Sequence, residues 1–249
     1  MMVILKTKEE LQLMRRAGAI TAQALHAGGA AVRPGVTTRQ VDRVIHDYIV
    51  RCGAMPSFLG YGGFPAAACI SVNDEVIHGI PGDRVLREGD IVSIDVGAKI
   101  SGYHGDSAYT FACGKISPEA LSLLDATQTA LSNGIAQAVV GNRVGDISAA
   151  VQGTVEPKGY SVVRDYVGHG VGKDLHEAPE VPNYGAPGHG VRLTAGMVIA
   201  IEPMINAGAW TVKVLSNDWT VVTRDHALSA HFEHTVAITQ DGPVILTRL

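Results

Sequence analysis

Two carboxylates in this chain each follow an apolar run: Asp95 comes after residues 91–94 and Glu202 after residues 198–201. Both close the same pattern, Leu-x-x-Gly-x-hydrophobic-x-x-Ile-acid, and its two copies lie 107 residues apart. Such an apolar run predicts a buried strand, and an ionised carboxylate buried without a partner costs more than a fold can tolerate. A positive group must therefore meet each of the two acids.

The chain after Asp95 reads VGAKISGYHGD and predicts a β-hairpin that returns to Asp106. With the turn centred on the bond between Ile100 and Ser101, the two carboxylates would lie directly opposite each other, with Cβ atoms about 4.5–5.5 Å apart. Facing carboxylates repel, so they must share a proton, recruit a basic residue or bind a cation. Lys99 lies in the turn itself, and a metal ion is the best solution. Two solvated acids on an exposed edge are the alternative.

Two further potential ligands lie in the second half of the chain. His169 stands between glycines, which let a ligand and a substrate approach the backbone closely, and Glu233 lies in a predicted strand. With Asp95, Asp106 and Glu202 they make four carboxylates and one imidazole. So many anions would overcharge one cation, so we expect two divalent ions about 3.5–4 Å apart that share bridging carboxylates. Oxygen-rich ligation with one imidazole suits Mn, Fe(II) or Co.

Helices are predicted ahead of each strand-rich segment. Capping boxes at Thr7 and Thr37 begin the first two helices, Ser117 followed by Pro118 begins the third, and the fourth covers about residues 146–158. Strands and tight turns follow each pair of helices. The order helix, helix, strands therefore occurs twice.

This repetition indicates an ancient duplication. Val36, for example, matches Val144 at an offset of 108, close to the 107 that separates the two acids. We interpret residues 1–249 as one domain made of two pseudo-symmetric halves, about 1–114 and 115–249. A pseudo-twofold axis between the halves would bring the two acid-terminated strands together.

The composition excludes several classes of protein. A net charge of −4 and an isoelectric point near 6.2 give no basic footprint for nucleic acid. No apolar stretch approaches the roughly 20 residues that span a bilayer, and the N-terminus does not read as a signal peptide. The three cysteines are widely spaced, which is typical of neither a disulfide framework nor a zinc site. We therefore expect a cytoplasmic protein without a membrane or nucleic-acid partner.

Seven short motifs occur in order along the chain: NDEVIHGIP at 73–81, IDVG at 94–97, GD at 105–106, GHGVG at 168–172, HEAP at 176–179, IEP at 201–203 and FEHT at 232–235. Together they closely resemble type I methionine aminopeptidases over nearly the whole chain. The resemblance implies the pita-bread fold, an α+β domain in which helices cover a curved antiparallel β-sheet about a pseudo-twofold axis. This agrees with the repeat described above.

The resemblance also implies roles for the ligands. Asp95 would chelate one metal ion, His169 and Glu202 would bind the other, and Asp106 and Glu233 would bridge the two. A water or hydroxide between the ions would attack the scissile peptide carbonyl. Glu202 would also be catalytic, carrying a proton from that water toward the leaving amine.

Two histidines in matched His-x-x-Pro contexts would complete the catalytic and substrate-binding set. By the same resemblance His176 would hydrogen-bond the scissile carbonyl or its oxyanion, and His78 would contact the peptide nitrogen. The remaining histidines, His231 and His234 among them, are expected to be structural or solvated. The substrate's first side chain would enter a pocket of aromatic and sulfur character formed by Phe58, Tyr61, Phe64, Cys69, Leu175 and Trp219.

The activity implied is removal of the initiator methionine from nascent chains whose second residue is small. The enzyme would be a monomer that uses two divalent ions (Co, Mn, Fe(II) or Zn) and meets its substrates at the ribosome. Two alternatives are an Xaa-Pro aminopeptidase, which shares the five ligands but usually carries an extra N-terminal domain, and a non-catalytic protein-binding relative. The complete ligand set argues against the second.

Overall fold

A computed structural model describes residues 3–248 and places four α-helices close to their predicted positions: α1 Lys8–Ala31, α2 Thr38–Arg51, α3 Pro118–Ala136 and α4 Val144–Val155. The capping boxes at Thr7 and Thr37 are present, and the Ser117 side chain caps α3. Helix α4 begins slightly earlier than predicted and continues into a 3₁₀ turn, Glu156–Lys158. No helix in this part of the chain is long and apolar enough to cross a membrane.

The strands between residues 3 and 248 pair only in antiparallel fashion, in four hydrogen-bonded groups. Their bounds are β1 Met55–Pro56, β2 Ala68–Val72, β3 Glu75–Ile77, β4 Ile91–Ile100, β5 Tyr103–Ala112, β6 Ser161–Val162, β7 Gly168–Gly170, β8 Glu177–Val181, β9 Val198–Ile201, β10 Met204–Asn206, β11 Val212–Val214, β12 Val221–Thr223, β13 Ser229–His231, β14 His234–Thr239 and β15 Gly242–Ile245. The group orders are β1-β4-β2 with β5 on β4, β13-β10-β6, β11-β12-β3 and β15-β14-β9-β7-β8. Helices and antiparallel sheets thus give the expected α+β class.

The β4–β5 hairpin has a different register from the one predicted. Its turn is formed by Ser101 and Gly102, with φ of 53° and 84°, the backbone geometry that matches the twist of paired strands. Asp106 therefore pairs with Gly97, two positions along the hairpin from the pair that contains Asp95. The prediction that the two carboxylates face each other directly was wrong. They are diagonal neighbours on one face of the hairpin.

The same tight turn precedes both acid-bearing strands. Gly89 and Gly196 have φ of 93° and 94°, in the left-handed region that glycine adopts without strain. Each also donates its N–H to a carbonyl of a neighbouring strand end, Gly89 to Cys113 and Gly196 to Ile238. The repeated Leu-x-x-Gly pattern thus encodes one turn that is built twice.

The residues that contact this turn match in the two halves as well. Leu86 donates its N–H to the Val36 carbonyl ahead of α2, and Leu193 donates to the Asn142 carbonyl ahead of α4. These contacts relate Val36 to Asn142, so the sequence pairing of Val36 with Val144 was wrong by two residues. The matched hydrogen bonds support the duplication, while the division near residues 114 and 115 stays a prediction.

Each pair of helices covers strands with its apolar face. One buried cluster joins α1 and α2 to β2 and β4, and another joins α3 and α4 to β9, β10 and β14. Helix α1 lies directly on β5, and glycines make this close contact possible. A Cβ at Gly105 would come within 2.8 Å of the Gly18 backbone. The opposite faces of these strands are left to carry polar groups.

Side-chain hydrogen bonds fasten β5 to the segment that carries Glu233. The Ser107 hydroxyl donates to the Glu233 carbonyl at 2.8 Å, and the Thr235 hydroxyl donates to the Asp106 carbonyl at 2.7 Å. All of these groups are buried. The two acids are therefore held in register across two different sheets.

Candidate metal centre and active site

One cavity of about 230 Å³ gathers the predicted site. It is lined by acids, imidazoles and apolar side chains from both halves of the chain. The predicted residues in its wall are Asp95, Asp106, His169, Glu202, Glu233, His78, His176, Phe58, Tyr61, Phe64, Cys69, Leu175 and Trp219. Every residue that the sequence nominated for the site thus lines the same space.

Strands and the residues directly next to strands carry the five acidic and imidazole groups. Asp95 lies within β4, which continues to Ile100, so the acid does not end the strand as the apolar run suggested. Asp106 lies on β5 and His169 on β7, while Glu202 directly follows β9. Glu233 occupies the link between β13 and β14. The cluster depends on packing between separate sheets.

Three of these side chains already form a compact donor group. One ligand atom each from Asp106, His169 and Glu233 lies within 4.8 Å of the others. The His169 Nε2 atom is 3.8 Å from Asp106 Oδ2 and 3.5 Å from Glu202 Oε1. Such a set of oxygen atoms with one nitrogen can hold a divalent cation.

The carboxyl groups of the cluster lack the partners that would compensate for their burial. Burial raises the pKa of Asp106 to about 7, and it raises the pKa values of Asp95, Glu202 and Glu233 well above their usual range. Repulsion from Asp106 adds to the shift in the other three. Three buried oxygens, Asp95 Oδ1, Asp106 Oδ1 and Glu233 Oε1, have no hydrogen-bond partner. These residues therefore fit divalent metal ions, which would satisfy both the charge and the orphaned oxygens.

His169 is arranged as a metal ligand would be. Its Nδ1 atom lies 2.9 Å from the Gly170 carbonyl and donates to it, which leaves the Nε2 lone pair facing the acids. Burial also lowers the pKa of His169 to about 3, so the ring is neutral. A neutral imidazole with a directed lone pair can bind a cation.

The two other predicted histidines stand at the side of the acid cluster. His176 Nδ1 is 2.7 Å from the Tyr61 hydroxyl, and its ring centroid is 4.1 Å from that of His169. His78 packs edge-on against the rings of Tyr166 and Trp219. Burial lowers the pKa of His78 to about 4 and also lowers that of His176. Both rings are therefore neutral hydrogen-bonding groups at neutral pH.

The apolar part of the cavity is a small separate cluster. Its buried members are Phe58, Phe64, Ala66, Cys69 and Leu175, with Trp219 packed against them. Burial raises the pKa of the Cys69 thiol, so it stays protonated and acts as an apolar group. In contrast, Tyr61 is 46% exposed and lines the part of the cavity that is open to solvent.

Several residues of the site were missed from the sequence. Gly62, Ile77, Tyr166 and Val167 also line the cavity. His231, which the sequence assigned to a structural or solvated role, is buried with Nε2 only 3.7 Å from Glu202 Oε2. Its position two residues before Glu233 was the available signal, because residues two apart along an extended segment face the same side.

The comparison with known families agrees with this geometry. The sequence model of metallopeptidase family M24 matches residues 12–240 of the chain. The chain belongs to this family. Membership of M24 makes the protein a metal-dependent peptidase and explains the buried acid cluster.

Relatives within M24 are methionine aminopeptidases. The methionine aminopeptidase of Clostridium acetobutylicum is 56% identical over 247 residues, which cover 99% of each chain. The crystal structure of methionine aminopeptidase from Rickettsia prowazekii superimposes with a TM-score of 0.98 at 41% identity and covers 99% of this chain and 100% of that one. The chain is thus a methionine aminopeptidase-type member of M24 with the pita-bread fold.

A more distant M24 structure differs in length. Prolidase from Pyrococcus furiosus has a TM-score of 0.81 at 25% identity, and the match covers 99% of this chain but 66% of the prolidase. The shared part is the pita-bread domain.

Proposed function

We propose that this protein removes N-terminal methionine from polypeptides whose second residue is small. The observation that carries the proposal is one cavity whose wall combines a buried carboxylate and imidazole cluster with an apolar pocket. The acid cluster suits peptide hydrolysis, and the pocket of aromatic, aliphatic and sulfur groups suits the flexible thioether of methionine.

The site is proposed to take two divalent ions. Asp95 would hold one, His169 and Glu202 the other, and Asp106 and Glu233 would contact both. When bound, such ions supply Lewis acidity that polarises a carbonyl and activates water at neutral pH. The four carboxylates carry more negative charge than one divalent ion balances, which favours two ions. Co, Mn, Fe(II) or Zn would each accept these oxygen and nitrogen donors.

The chain's own groups would handle the proton and the carbonyl oxygen. Glu202 would take a proton from the attacking water and pass it to the leaving amine, because its carboxylate lies in the cavity beside His169. The Tyr61 hydroxyl would donate to His176 Nδ1, which fixes the ring proton on Nε2, where it can donate to the oxyanion. His78 would contact the peptide nitrogen.

The natural partner would be the N-terminus of a nascent polypeptide, met at the ribosome by a monomeric cytoplasmic enzyme. The initiator methionine is exposed there, and the cavity would accept a single terminal residue rather than an internal segment. A second side chain larger than alanine, serine or glycine would press against the cavity rim and slow cleavage.

The test is methionine release from the peptide Met-Ala-Ser with Mn²⁺ or Co²⁺ added. We expect release by the wild type and a loss on the order of a thousandfold or more in Asp95→Asn and Glu202→Gln, because each removes a charged oxygen from the site. Asp83→Asn is the matched control, since the Asp83 side chain is 89% exposed and is not among the residues that line the cavity. Retained turnover in either site variant would refute the assignment.

Two further peptides separate the alternatives. Replacing the second residue by leucine should nearly abolish release, and an Xaa-Pro peptide should not be cleaved. Preferred cleavage of the Xaa-Pro peptide would instead make the protein an Xaa-Pro peptidase. If the folded, metal-loaded protein released no methionine from any peptide, the catalytic proposal would be wrong.

A further inference from the structure

The carboxylate of Glu202 lies between two imidazoles. His169 Nε2 is 3.5 Å from Oε1, and His231 Nε2 is 3.7 Å from Oε2. The His231 side chain is 2% exposed, and its Nε2 atom has no hydrogen-bond partner. A buried polar atom without a partner is rare, and the Glu202 carboxylate is the acidic group that lies beside it in the described part of the chain.

The backbone of His231 is fixed from two sides. Its N–H donates to the Thr110 hydroxyl at 2.9 Å, and that hydroxyl donates to the His231 carbonyl at 2.8 Å. On the other side, His231 pairs with Met204 in the β10–β13 ladder. The ring therefore cannot be carried away from Glu202 by movement of its own segment.

His231 differs from the proposed imidazole ligand in what its ring approaches. The compact group in residues 3–248 joins Asp106, His169 and Glu233 and leaves out Asp95, Glu202 and His231 alike, so the distinction rests on the distances around each ring. Within residues 3–248 the His231 ring lies at ion-pair distance from one carboxylate, that of Glu202, whereas the His169 ring approaches both Asp106 and Glu202. A hydrogen bond to that oxygen, rather than a bond to a metal ion, is the contact that this placement allows.

We propose that His231 is a positioning residue for Glu202: a small rotation of either side chain closes the 3.7 Å between Nε2 and Oε2 to a hydrogen bond, and this bond holds Oε1 toward His169 and the cavity. The inference rests on the proposed function of Glu202 as ligand and proton carrier. A carboxylate on a flexible side chain can rotate, and both roles require one fixed orientation. Asn183, which donates from Nδ2 to the Glu202 carbonyl at 3.0 Å, fixes only the backbone.

The test compares four variants with the wild type. His231→Leu removes the donor, His231→Asn keeps an amide but is too short to reach, and His231→Gln keeps an amide N–H at similar reach. His234→Gln is the matched control, because that partly buried ring lies three residues further along the chain but bonds Thr247 instead, with Nδ1 at 2.9 Å from the hydroxyl. Steady-state kinetics on Met-Ala-Ser would be measured together with Mn²⁺ binding by calorimetry.

We expect His231→Leu and His231→Asn to lower kcat by about 10–100-fold with little change in KM, as for other residues that orient a metal ligand. His231→Gln should restore kcat to within a few fold, and His234→Gln should match the wild type. The number of bound Mn²⁺ ions should stay unchanged in all variants, while affinity falls about tenfold in the first two. The Mn²⁺ affinity tests the orientation of the Glu202 carboxylate even if the wild type proves inactive on peptides.

Four outcomes would overturn the inference. Unchanged kcat and Mn²⁺ affinity in His231→Asn would mean that Glu202 needs no such partner. A rise in KM alone would mean that His231 touches the substrate, and loss of one bound ion would make it a ligand. Equal losses of kcat and Mn²⁺ affinity in His234→Gln and His231→Asn would mean that the substitutions act by disturbing the sheet in general.

Discussion

Single residues of the site meet the cost of burial in different ways. His169 becomes neutral and donates its one N–H to the Gly170 carbonyl. His176 pairs with the Tyr61 hydroxyl. The carboxyl groups have no comparable partners, and their pKa values rise. Without a cation they would therefore hold protons that ordinary carboxylates release.

This proton uptake predicts how the stability of metal-free protein depends on pH. A carboxyl group with a raised pKa binds more protons folded than unfolded, so its contribution to stability is lost as pH rises through the folded value, about 7 for Asp106. Three buried histidines have lowered pKa values: His78, His169 and His231. Their contribution to stability rises with pH instead, but only below about pH 6.5, where unfolded histidine takes up protons. Between about pH 6.5 and pH 8 the histidines no longer contribute, and the raised pKa values of the carboxyl groups set the sign of the change in stability.

We therefore expect the free energy of unfolding of the metal-free protein to fall across this range by about 1.4 kcal/mol per pH unit for each extra bound proton. Urea unfolding after chelation of metals measures it. Saturating Mn²⁺ should remove the decline, because the cation replaces the protons. A metal-free protein equally stable at both ends of the range would contradict the buried, uncompensated cluster.

At the scale of elements, one turn is used twice ahead of β4 and β9. Gly89 and Gly196 share a left-handed backbone, but their surroundings differ. A Cβ at Gly196 would lie 3.0 Å from the Lys6 carbonyl, whereas the first atom near one at Gly89 is 3.8 Å away. The copies have therefore kept the conformation and diverged in packing.

Alanine at these two positions should separate conformation from packing. Gly89→Ala should destabilise by about 1–2 kcal/mol, the cost of a left-handed backbone for a residue with a Cβ. Gly196→Ala should cost more, because the Lys6 carbonyl must also shift. Thermal unfolding of both variants measures the difference, and equal losses would show that the contact with Lys6 relaxes freely.

At the scale of the whole molecule, a buried ion pair joins the segment before α1 to the start of β8. The Lys6 ammonium bonds the Glu177 carboxylate, with the two side chains only 2% and 6% exposed. Glu177 also accepts the N–H of Lys173 at 2.9 Å, and it directly follows His176. The N-terminal segment thereby supports the turn that carries a predicted catalytic residue.

Breaking one side of this pair should be costly. Lys6→Met leaves a buried carboxylate without its cation, for which we expect a loss of about 3–5 kcal/mol in unfolding free energy. The double variant with Glu177→Gln should recover part of it, since no charge is then left unpaired. Arg39→Met, which breaks an exposed pair with Asp83, should change stability by less than about 1 kcal/mol. Equal effects of Lys6→Met and Arg39→Met in urea unfolding would refute this role.

Much of the fold could be predicted because its signals are local. Caps at Thr7, Thr37 and Ser117 mark helix starts through contacts within one turn of chain. The hairpin register escaped prediction because Ser101 adopts a left-handed backbone, which serine seldom does. His231 escaped because its neighbours in sequence, alanine and phenylalanine, suit a core residue, and its spacing of two from Glu233 does not show which group its ring meets.

The sequence by itself determined the residue types, the order of the elements and the family resemblance. Acids placed inside apolar runs already required a cation, because unpaired buried charge is too costly. Only the tertiary structure decided which oxygens converge, since Asp106 and Glu233 meet through hydrogen bonds between β5 and a separate sheet. It alone placed His231 against Glu202, because distances across sheets depend on strand register and packing far apart along the chain.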